Sequence, residues 1–419
     1  MSTTVSARPD VTSRTPLRGR LAVLSVTLGI FAVVTTEILP IGLLTPIGAA
    51  FGVADGTAGL MMTMPGLLAA VAAPAVTLAT ARADRRLMLG AFVLLLAVAN
   101  FLTAAATSYW VVLVARVLVG ITIGGFWSIG AGLAGRLVPA RRAARVTAVI
   151  FAAVPLGSVL GVPAGTLIGD LAGWRTAFVT MGLLSTGVLA LLLLTLPALP
   201  PERVTRPAVL RALLRAPGTR FALLMTFLVV LAHFGTYTYV TPLLREVTHA
   251  GPGMITGFLL AYGAAGVVGN FLGGALVTRR PHLAFVAAAA TIAAATALLP
   301  VLGRSGAGAL ALLVLWGLGY GAVPVCSQTW FARAAPRAPE AASVLFTASF
   351  QATIAAGALA GGHVVDHASL RAVMWLGAAT AALVVVPAAA HFVRTRAGRA
   401  SGPLFGDTLR RGARPSSGR

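Results

Sequence analysis

The stretch WVVLVARVLVGITIGGFWSIGAGLAGRLV, residues 110–138, has one charged residue, Arg116, before it reaches Arg136. An α-helix rises about 1.5 Å per residue, so about 20 apolar residues cross the hydrocarbon core of a bilayer, which is roughly 30 Å thick. This stretch is long enough to do so. It therefore predicts a membrane-spanning helix and indicates that the chain folds in lipid.

Segments of the same kind recur on both sides of this stretch. The chain of 419 residues is 58% hydrophobic and 10% charged, whereas soluble domains carry about 25% charged residues. We count twelve apolar segments, which predicts an all-α polytopic membrane protein. The expected spans are residues 21–46, 57–80, 87–106, 110–138, 146–169, 176–198, 221–247, 254–278, 283–303, 307–331, 341–365 and 372–393.

The placement of arginine predicts the orientation of the chain, because short cytoplasmic loops retain basic residues. With the N-terminus inside, the cytoplasmic segments hold 27 arginines and the outer loops hold 4. We therefore expect a multi-pass protein of the bacterial inner membrane with both termini in the cytoplasm. The net charge of +22 is spread over many loops, which argues against a nucleic-acid partner and for the lipid bilayer.

The sequence also indicates that the chain consists of two related halves. A Pro- and Arg-rich connection at about 199–220 divides the spans six and six, and residues 208–215 within it can form a basic helix against anionic headgroups. Carriers that work by alternating access are built from such repeats. A shift of 197 positions aligns Gly120 with Gly317, Gly124 with Gly321, Arg136 with Arg333, Pro139 with Pro336 and Gly165 with Gly362.

These features predict five regions. They are a cytoplasmic N-terminal tail (1–20), an N-terminal six-helix bundle (21–198), a cytoplasmic linker (199–220), a C-terminal six-helix bundle (221–393) and a basic cytoplasmic tail (394–419). The two bundles are expected to be pseudo-symmetric, and we expect the protein to be a monomer.

Glu37 is the one acid of ten that lies well within a predicted span. An ionised carboxylate is unfavourable in hydrocarbon, so such a residue faces the protein interior or a wet cavity. There it could bind and release a proton. We interpret Glu37 as a proton-coupling or cation-recognising group; the alternative is a permanently protonated residue that hydrogen-bonds two helices.

Arg116 is the matching cation in the fourth span. Counted from the outer ends of their helices, Arg116 lies about 9 Å deep and Glu37 about 11 Å deep. The two side chains could therefore pair directly or through water, and protonation of Glu37 would loosen that pair. The alternative is that Arg116 ties helices together through main-chain carbonyl groups.

His233 lies in the middle of the seventh span. Histidine titrates near neutral pH, so it could relay a proton, although a packed core histidine fits the position equally well. Other polar or aromatic side chains within spans could line a substrate cavity or simply contact neighbouring helices. The candidates are Asn100, Trp127, Tyr237, Tyr239, Asn270 and Gln351.

Other kinds of site are not indicated. Cys326 is the single cysteine, so neither an intrachain disulfide nor a Cys-based metal site is expected. Residues 130–135 match G-x-G-x-x-G, but no strand precedes them and no acid follows at the required spacing. We expect no cofactor and no metal.

Several motifs resemble the major facilitator superfamily, in its twelve-span drug:proton antiporter branch. Residues 82–86, Arg-Ala-Asp-Arg-Arg, resemble the cytoplasmic signature loop, which implies gating roles for Asp84, Arg85 and Arg86. Residues 113–125 resemble the fourth-span motif whose arginine is implicated in proton transfer. Residues 157–165 resemble the fifth-span motif of exporters. Gly161, Pro163 and Gly165 within it could let this span bend, although a passive kink is the alternative.

Residues 36–44, TEILPIGLL, resemble the first span of exporters of arabinose-type sugars, purine nucleosides and chloramphenicol. The resemblance implies a proton-coupled secondary transporter that exports a small organic solute by alternating access. An importer or uniporter of a small metabolite is the alternative within the same class. A membrane-embedded enzyme is a more distant one, because one acid within the membrane cannot form a catalytic cluster.

Overall fold

The computed structural model describes residues 16–79, 83–130, 137–138, 146, 149–150, 152–200, 207–336, 338–385 and 388. Within those ranges the fold is all-α, as predicted. The helices are α1 (Pro16–Phe51), α2 (Asp55–Ala58), α3 (Leu60–Ala79), α4 (Arg85–Ala104), α5 (Tyr109–Gly130), α6 (Ala153–Ala172), α7 (Trp174–Thr195), α8 (Pro207–Arg215), α9 (Pro217–Tyr237), α10 (Val240–Val247), α11 (Pro252–Arg279), α12 (Pro281–Leu302), α13 (Gly306–Ala334), α14 (Pro339–His367) and α15 (Leu370–Ala382).

Eleven of the described helical segments are long and apolar enough to cross a membrane. The shorter α15 occupies the start of the expected twelfth span. Residues 1–15 and 389–419, and with them most of the two expected tails, lie outside the described residues, as do Arg82, Arg136 and Pro139. We call α1–α7 the N-terminal bundle and α9–α15 the C-terminal bundle.

Helix boundaries differ from the expected ones by up to several residues, as at the three places that follow. Helix α1 begins at Pro16, inside the expected tail, because Arg18 and Arg20 can keep their charged ends in water while the helix continues. Helix α9 begins at Pro217, inside the expected linker, since proline suits the first turn of a helix. The expected span at 221–247 is interrupted at Thr238 and Tyr239.

The internal repeat predicted from glycine positions is present in the packing. A Cβ atom on Gly120 of α5 would collide with the carbonyl oxygen of Pro65 on α3, and one on Gly317 of α13 would collide with that of Tyr262 on α11. The spacing of 197 positions relates both the glycines and their partners. Small residues let two helices approach closely in this way, so both bundles contain the same helix pair in the same register.

The same register also relates two contacts between the bundles. Gly66 of α3 lies against the main chain of Gln351 and Ala355 on α14, and Gly263 of α11 lies against Val159 on α6. Gly66 and Gly263 are 197 positions apart. The bundles therefore meet through two related interfaces with a central space between them.

In the part of the chain that the structure describes, one end of the molecule carries the helix ends with Arg86, Arg279 and Arg333, and we call it the basic end. At the opposite end the bundles are joined: Asp366 accepts hydrogen bonds from the Gly56 nitrogen at 2.8 Å and the Thr57 hydroxyl at 3.3 Å. The Thr241 hydroxyl donates to the Ile41 carbonyl at 2.9 Å. The central space is thus closed at the opposite end.

The expected gating loop is held within the N-terminal bundle. Asp84 caps α4 by accepting from the Arg86 nitrogen at 2.8 Å, and its second oxygen accepts from the Leu199 nitrogen at 3.1 Å. The Arg85 nitrogen donates to the Leu199 carbonyl at 3.0 Å, and the Arg86 guanidinium donates to the carbonyl of Leu193. The loop therefore fastens the start of α4 to the end of α7.

Candidate functional site

A cavity of about 490 Å³ lies between the two bundles. Gln328 and Ala332 of α13 line it toward the basic end and are exposed, so the cavity opens there. Its side chains come from α1, α5 and α6 on one side and α9, α13 and α14 on the other. They include Val34, Glu37, Ile38, Trp127, Val154, Ser158, Phe234, Tyr320, Gln328, Thr329, Ser343, Phe346, Thr347, Phe350 and Gln351.

Glu37 is in the cavity wall and touches the opposite bundle. Its side chain is 8% exposed, and its Oε1 accepts a hydrogen bond from Nε2 of Gln351 at 2.8 Å. Gln351 is 5% exposed. This single hydrogen bond joins α1 to α14 across the space between the bundles.

None of the hydrogen bonds that the structure shows for Arg116 goes to the Glu37 carboxylate. Its Nε donates to the Met61 carbonyl at 3.0 Å, and its two terminal nitrogens donate to the carbonyls of Thr36 at 3.0 Å and Glu37 at 2.8 Å. Arg116 is fully buried. The side chain therefore ties α5 to α1 and α3 through main-chain oxygens, the alternative that the sequence had left open.

Two prolines explain why these carbonyls need a donor. Pro40 and Pro65 lie inside α1 and α3. Each lacks the N–H that would otherwise bond the carbonyl four residues earlier, which is Thr36 for Pro40 and Met61 for Pro65. Arg116 supplies the missing donor to both. Sharing a depth in the membrane placed Arg116 near Glu37, but the freed carbonyls decide where the guanidinium points.

His233 lies behind the cavity wall inside a cluster of aromatic rings. It stacks on Tyr320 with ring centroids 3.4 Å apart and on Tyr237 at 5.0 Å. Its Nδ1 accepts from Nε1 of Trp316 at 3.1 Å. The indole N–H can only donate, so Nδ1 carries no proton and the ring is neutral with its hydrogen on Nε2. That nitrogen faces the Tyr262 hydroxyl at 3.5 Å.

The structure separates the expected cavity residues into three groups. Glu37, Trp127 and Gln351 line the cavity, while His233 and Tyr237 pack behind it. Asn100, Tyr239 and Asn270 are not among the residues that line this cavity. Their surroundings give the reasons.

Asn100 is buried in the N-terminal bundle, where its Nδ2 donates to the Leu96 carbonyl at 2.9 Å and the Thr36 hydroxyl at 3.2 Å. Tyr239 follows the break after α9 and therefore points toward the closed end, where its hydroxyl donates to the Ala358 carbonyl at 2.7 Å. Asn270 is half-buried on α11.

The helix α6 motif also has a packing role. Gly161 lies against Thr35 and Gly165 against Leu39, so α6 and α1 approach closely on either side of Pro163. All three residues are buried. The small residues predicted to bend this helix thus form its contact with the helix that carries Glu37.

Sequence reasoning missed several cavity residues. Gln328 of α13, Ser158 of α6 and Thr347 of α14 contribute polar side chains to the lining. Gln328 was detectable as an amide inside an apolar segment, the same signal that singled out Gln351. Serine and threonine give no such signal, because in membrane helices they usually bond their own main chain, as Thr353 does with the Ser349 carbonyl at 2.7 Å.

The cavity combines flat apolar surfaces with a few hydrogen-bonding groups. Trp127, Phe234, Tyr320, Phe346 and Phe350 offer rings, and amides and hydroxyls lie among them. Such a lining suits a small organic molecule with a planar part and several polar groups. Among the described residues, no cluster of three His, Cys, Asp or Glu side chains could hold a metal ion.

Two related bundles around a central cavity that opens at one end are the architecture of an alternating-access carrier. A sequence model described as Major Facilitator Superfamily matches residues 26–347. The chain belongs to this superfamily, as its motifs predicted.

Individual relatives of this chain carry the names of transport proteins. The purine ribonucleoside efflux pump NepI of Escherichia coli strain K12 is 30% identical over 355 residues, which cover 85% of this chain and 90% of the relative. The pump of the same name from Shigella flexneri matches equally well.

Solved structures share the fold. The crystal structure of a bacterial homolog to the human lysosomal transporter Spinster, inward-facing and unoccupied, covers 91% of this chain and 98% of its own with a TM-score of 0.71 and 18% identity. That of the human organic anion transporter MFSD10 (TETRAN) covers 90% and 100% with a TM-score of 0.63 and 19% identity. The predicted fold and the predicted class, a multi-pass secondary transporter that exports a small solute, are confirmed.

Proposed function

We propose that this protein exports purine ribonucleosides, or small solutes of the same chemistry, in exchange for protons. It would act as a monomer in the bacterial inner membrane with both termini in the cytoplasm. The arginine distribution of 27 to 4 supports this orientation, and it would make the basic end, where the cavity opens, the cytoplasmic side.

The observation that carries proton coupling is the position of Glu37. A carboxyl group 8% exposed in the wall of a membrane cavity can gain and lose a proton as water reaches it or leaves it. Its hydrogen bond to Gln351 of the other bundle means that a change in its charge acts on the contact between the bundles. Arg116 would support this cycle by holding the main chain around Glu37 in place, and the neutral His233 would hold the Tyr320 ring rather than carry the proton.

The lining supports a nucleoside-like substrate. Aromatic side chains such as Trp127 and Tyr320 could stack on a purine base, while Gln328, Gln351 and Ser158 could hydrogen-bond the base and the ribose. The relatives named purine ribonucleoside efflux pumps point to the same class. We further propose that the Asp84–Arg86 loop and the α6 segment around Gly161, Pro163 and Gly165 accommodate the rocking of the bundles.

The proposal treats the protein as a carrier without enzymatic activity. Its cavity contains one carboxyl group, Glu37, among the lining residues, and catalysis by metal or by a nucleophile with a base needs a cluster of such groups. The two relatives reported above are named efflux pumps, which favours export over uptake.

Everted membrane vesicles test the proposal directly. Respiration acidifies their interior, so an exporter that exchanges protons should accumulate radiolabelled inosine and make the interior less acidic. The Glu37→Gln variant cannot gain or lose a proton, so we expect gradient-driven accumulation to fall at least about tenfold while exchange of labelled for unlabelled inosine continues. The matched control is Glu246→Gln, which alters an exposed carboxyl group and should accumulate inosine like the wild type.

Accumulation that persists after the pH gradient is collapsed would contradict proton coupling. A wild-type protein that moves no purine nucleoside in either direction would contradict the substrate class, whatever the behaviour of the variant.

A further inference from the structure

The amide oxygen of Gln351 is an unusual atom in the cavity wall. Nε2 of this side chain donates to Glu37, but Oε1 is buried and has no hydrogen-bond partner among the described residues. Gln351 lines the cavity and is only 5% exposed. A buried carbonyl oxygen without a donor is unfavourable, so this atom is placed to receive an N–H or O–H group.

One available donor is the proton of Glu37 itself. An ionised carboxylate only accepts hydrogen bonds, whereas a protonated one has an O–H to donate. A carboxylic acid and a primary amide can pair side by side, with the amide N–H on the acid oxygen and the acid O–H on the amide oxygen. The first of these bonds is present at 2.8 Å, so a proton on Glu37 would find Oε1 of Gln351 as its acceptor.

The other available donor is a substrate in the cavity. Phe350 and Trp127 line the same space as Gln351, so a flat base stacked there can bring a ring N–H to Oε1. Glu37 could then stay ionised and keep its bond from Nε2. The resulting chain, from the base N–H through the amide to the carboxylate, is one in which each hydrogen bond strengthens the next.

We propose that Oε1 of Gln351 is the shared acceptor for which the proton on Glu37 and the ring N–H of a purine base compete. This inference rests on the proposed function and names the residue that links its two ligands. Because such linkage is reciprocal, binding of the base releases the proton, and acidification weakens binding of the base. Gln351 thereby becomes both a specificity-determining residue and the positioning partner of Glu37.

A pair of ligands tests this on the unaltered protein. Inosine carries an N–H at position 1 of its base, and 1-methylinosine carries a methyl group there instead. With purified protein in weakly buffered detergent solution, calorimetry gives the affinity and a pH indicator gives the protons released. We expect inosine to release protons and to bind more weakly as the pH falls, and 1-methylinosine to bind at least about tenfold more weakly and to release none.

Two variants locate the effect. Gln351→Met keeps the length of the side chain and removes both the oxygen and the nitrogen of the amide, so inosine should bind like 1-methylinosine, without proton release and without dependence on pH. Gln328→Met removes the other amide that lines the cavity. It can lower the affinity for inosine, but saturating inosine should still release protons.

The outcomes separate this inference from the proposed function. If the wild type binds neither nucleoside, the substrate assignment is wrong and the inference falls with it. If inosine is exported with proton exchange but 1-methylinosine binds equally well and releases as many protons, the role of Gln351 is wrong and the proposed function stands. Proton release that survives in Gln351→Met would likewise overturn the role of Gln351 alone.

Discussion

The two bundles share their helix packing but differ in the side chains at related positions of their cores. In the N-terminal bundle, Arg116 serves the carbonyls freed by Pro40 and Pro65. At the positions 197 residues later, the C-terminal bundle has Leu313, Tyr237 and Tyr262.

Tyr237 and Tyr262 stack with ring centroids 4.4 Å apart. Neither residue is a proline, so each keeps its main-chain N–H and its helix needs no donor from another helix. A charged core in one bundle thus corresponds to an aromatic core in the other.

The comparison extends to the cavity wall. Glu37 corresponds to Phe234 and Val154 to Gln351, and all four line the cavity. Each bundle therefore presents one polar and one apolar group at related places, and the two polar groups bond each other. In this cavity wall, one half of the duplicated fold carries the carboxyl group and the other half supplies its hydrogen-bond partner.

The largest effect is expected when the charged core is given the residue of its counterpart. Arg116→Leu introduces the side chain found at position 313 and leaves three carbonyls without their donor. We expect the free energy of unfolding, measured by titration with sodium dodecyl sulfate in mixed micelles, to fall by roughly 2 to 4 kcal/mol. The control is Arg371→Leu, at an exposed position, which should change it by less than about 0.5 kcal/mol.

The prolines make this prediction sharper. If Arg116 acts through the carbonyls that they free, Pro40→Ala and Pro65→Ala restore helical donors to Thr36 and Met61. Arg116→Leu should then cost about half as much in the triple variant as in the wild-type background. Equal losses in both backgrounds would show that Arg116 stabilises the bundle in another way.

A smaller effect is expected in the aromatic core. Trp316→Phe keeps a ring but removes the N–H that His233 accepts at 3.1 Å, so we expect a loss of about 1 to 2 kcal/mol in the same titration. Trp375→Phe is the matched control, because its N–H bonds a carbonyl at 3.3 Å on a side chain that is 52% exposed. If Trp375→Phe lost as much stability, the buried Trp316–His233 bond would contribute no more than an exposed one.

The smallest effect is expected at Asn270. Its counterpart in the N-terminal bundle is Ala73, and it does not line the cavity. Asn270→Ala should therefore leave the initial rate of inosine accumulation in everted vesicles within about twofold of the wild type. A larger loss of the initial rate would show that Asn270 takes part in transport, although it does not line the cavity.

Sequence reasoning succeeded where one residue is unusual in its own segment. A single acid inside an apolar span identified Glu37, and glycines at a spacing of 197 identified the repeat, because both signals depend only on position along the chain. It did not give the surroundings of Tyr239 and Asn270, because depth along a helix does not give the direction of a side chain around it. Tyr239 follows the break after Tyr237, and its hydroxyl bonds the carbonyl of Ala358 on α14, a partner 119 positions away.

The sequence by itself determined the spans, the two halves and the one acid between them, because a bilayer imposes length and apolarity on each helix separately. Only the tertiary structure decided that Arg116 bonds main-chain carbonyls rather than the Glu37 carboxylate, and that this carboxylate bonds Gln351, 314 positions away. Those partners follow from how helices rotate and pack against one another. That rotation depends on the fit of whole helix faces, which no single segment encodes.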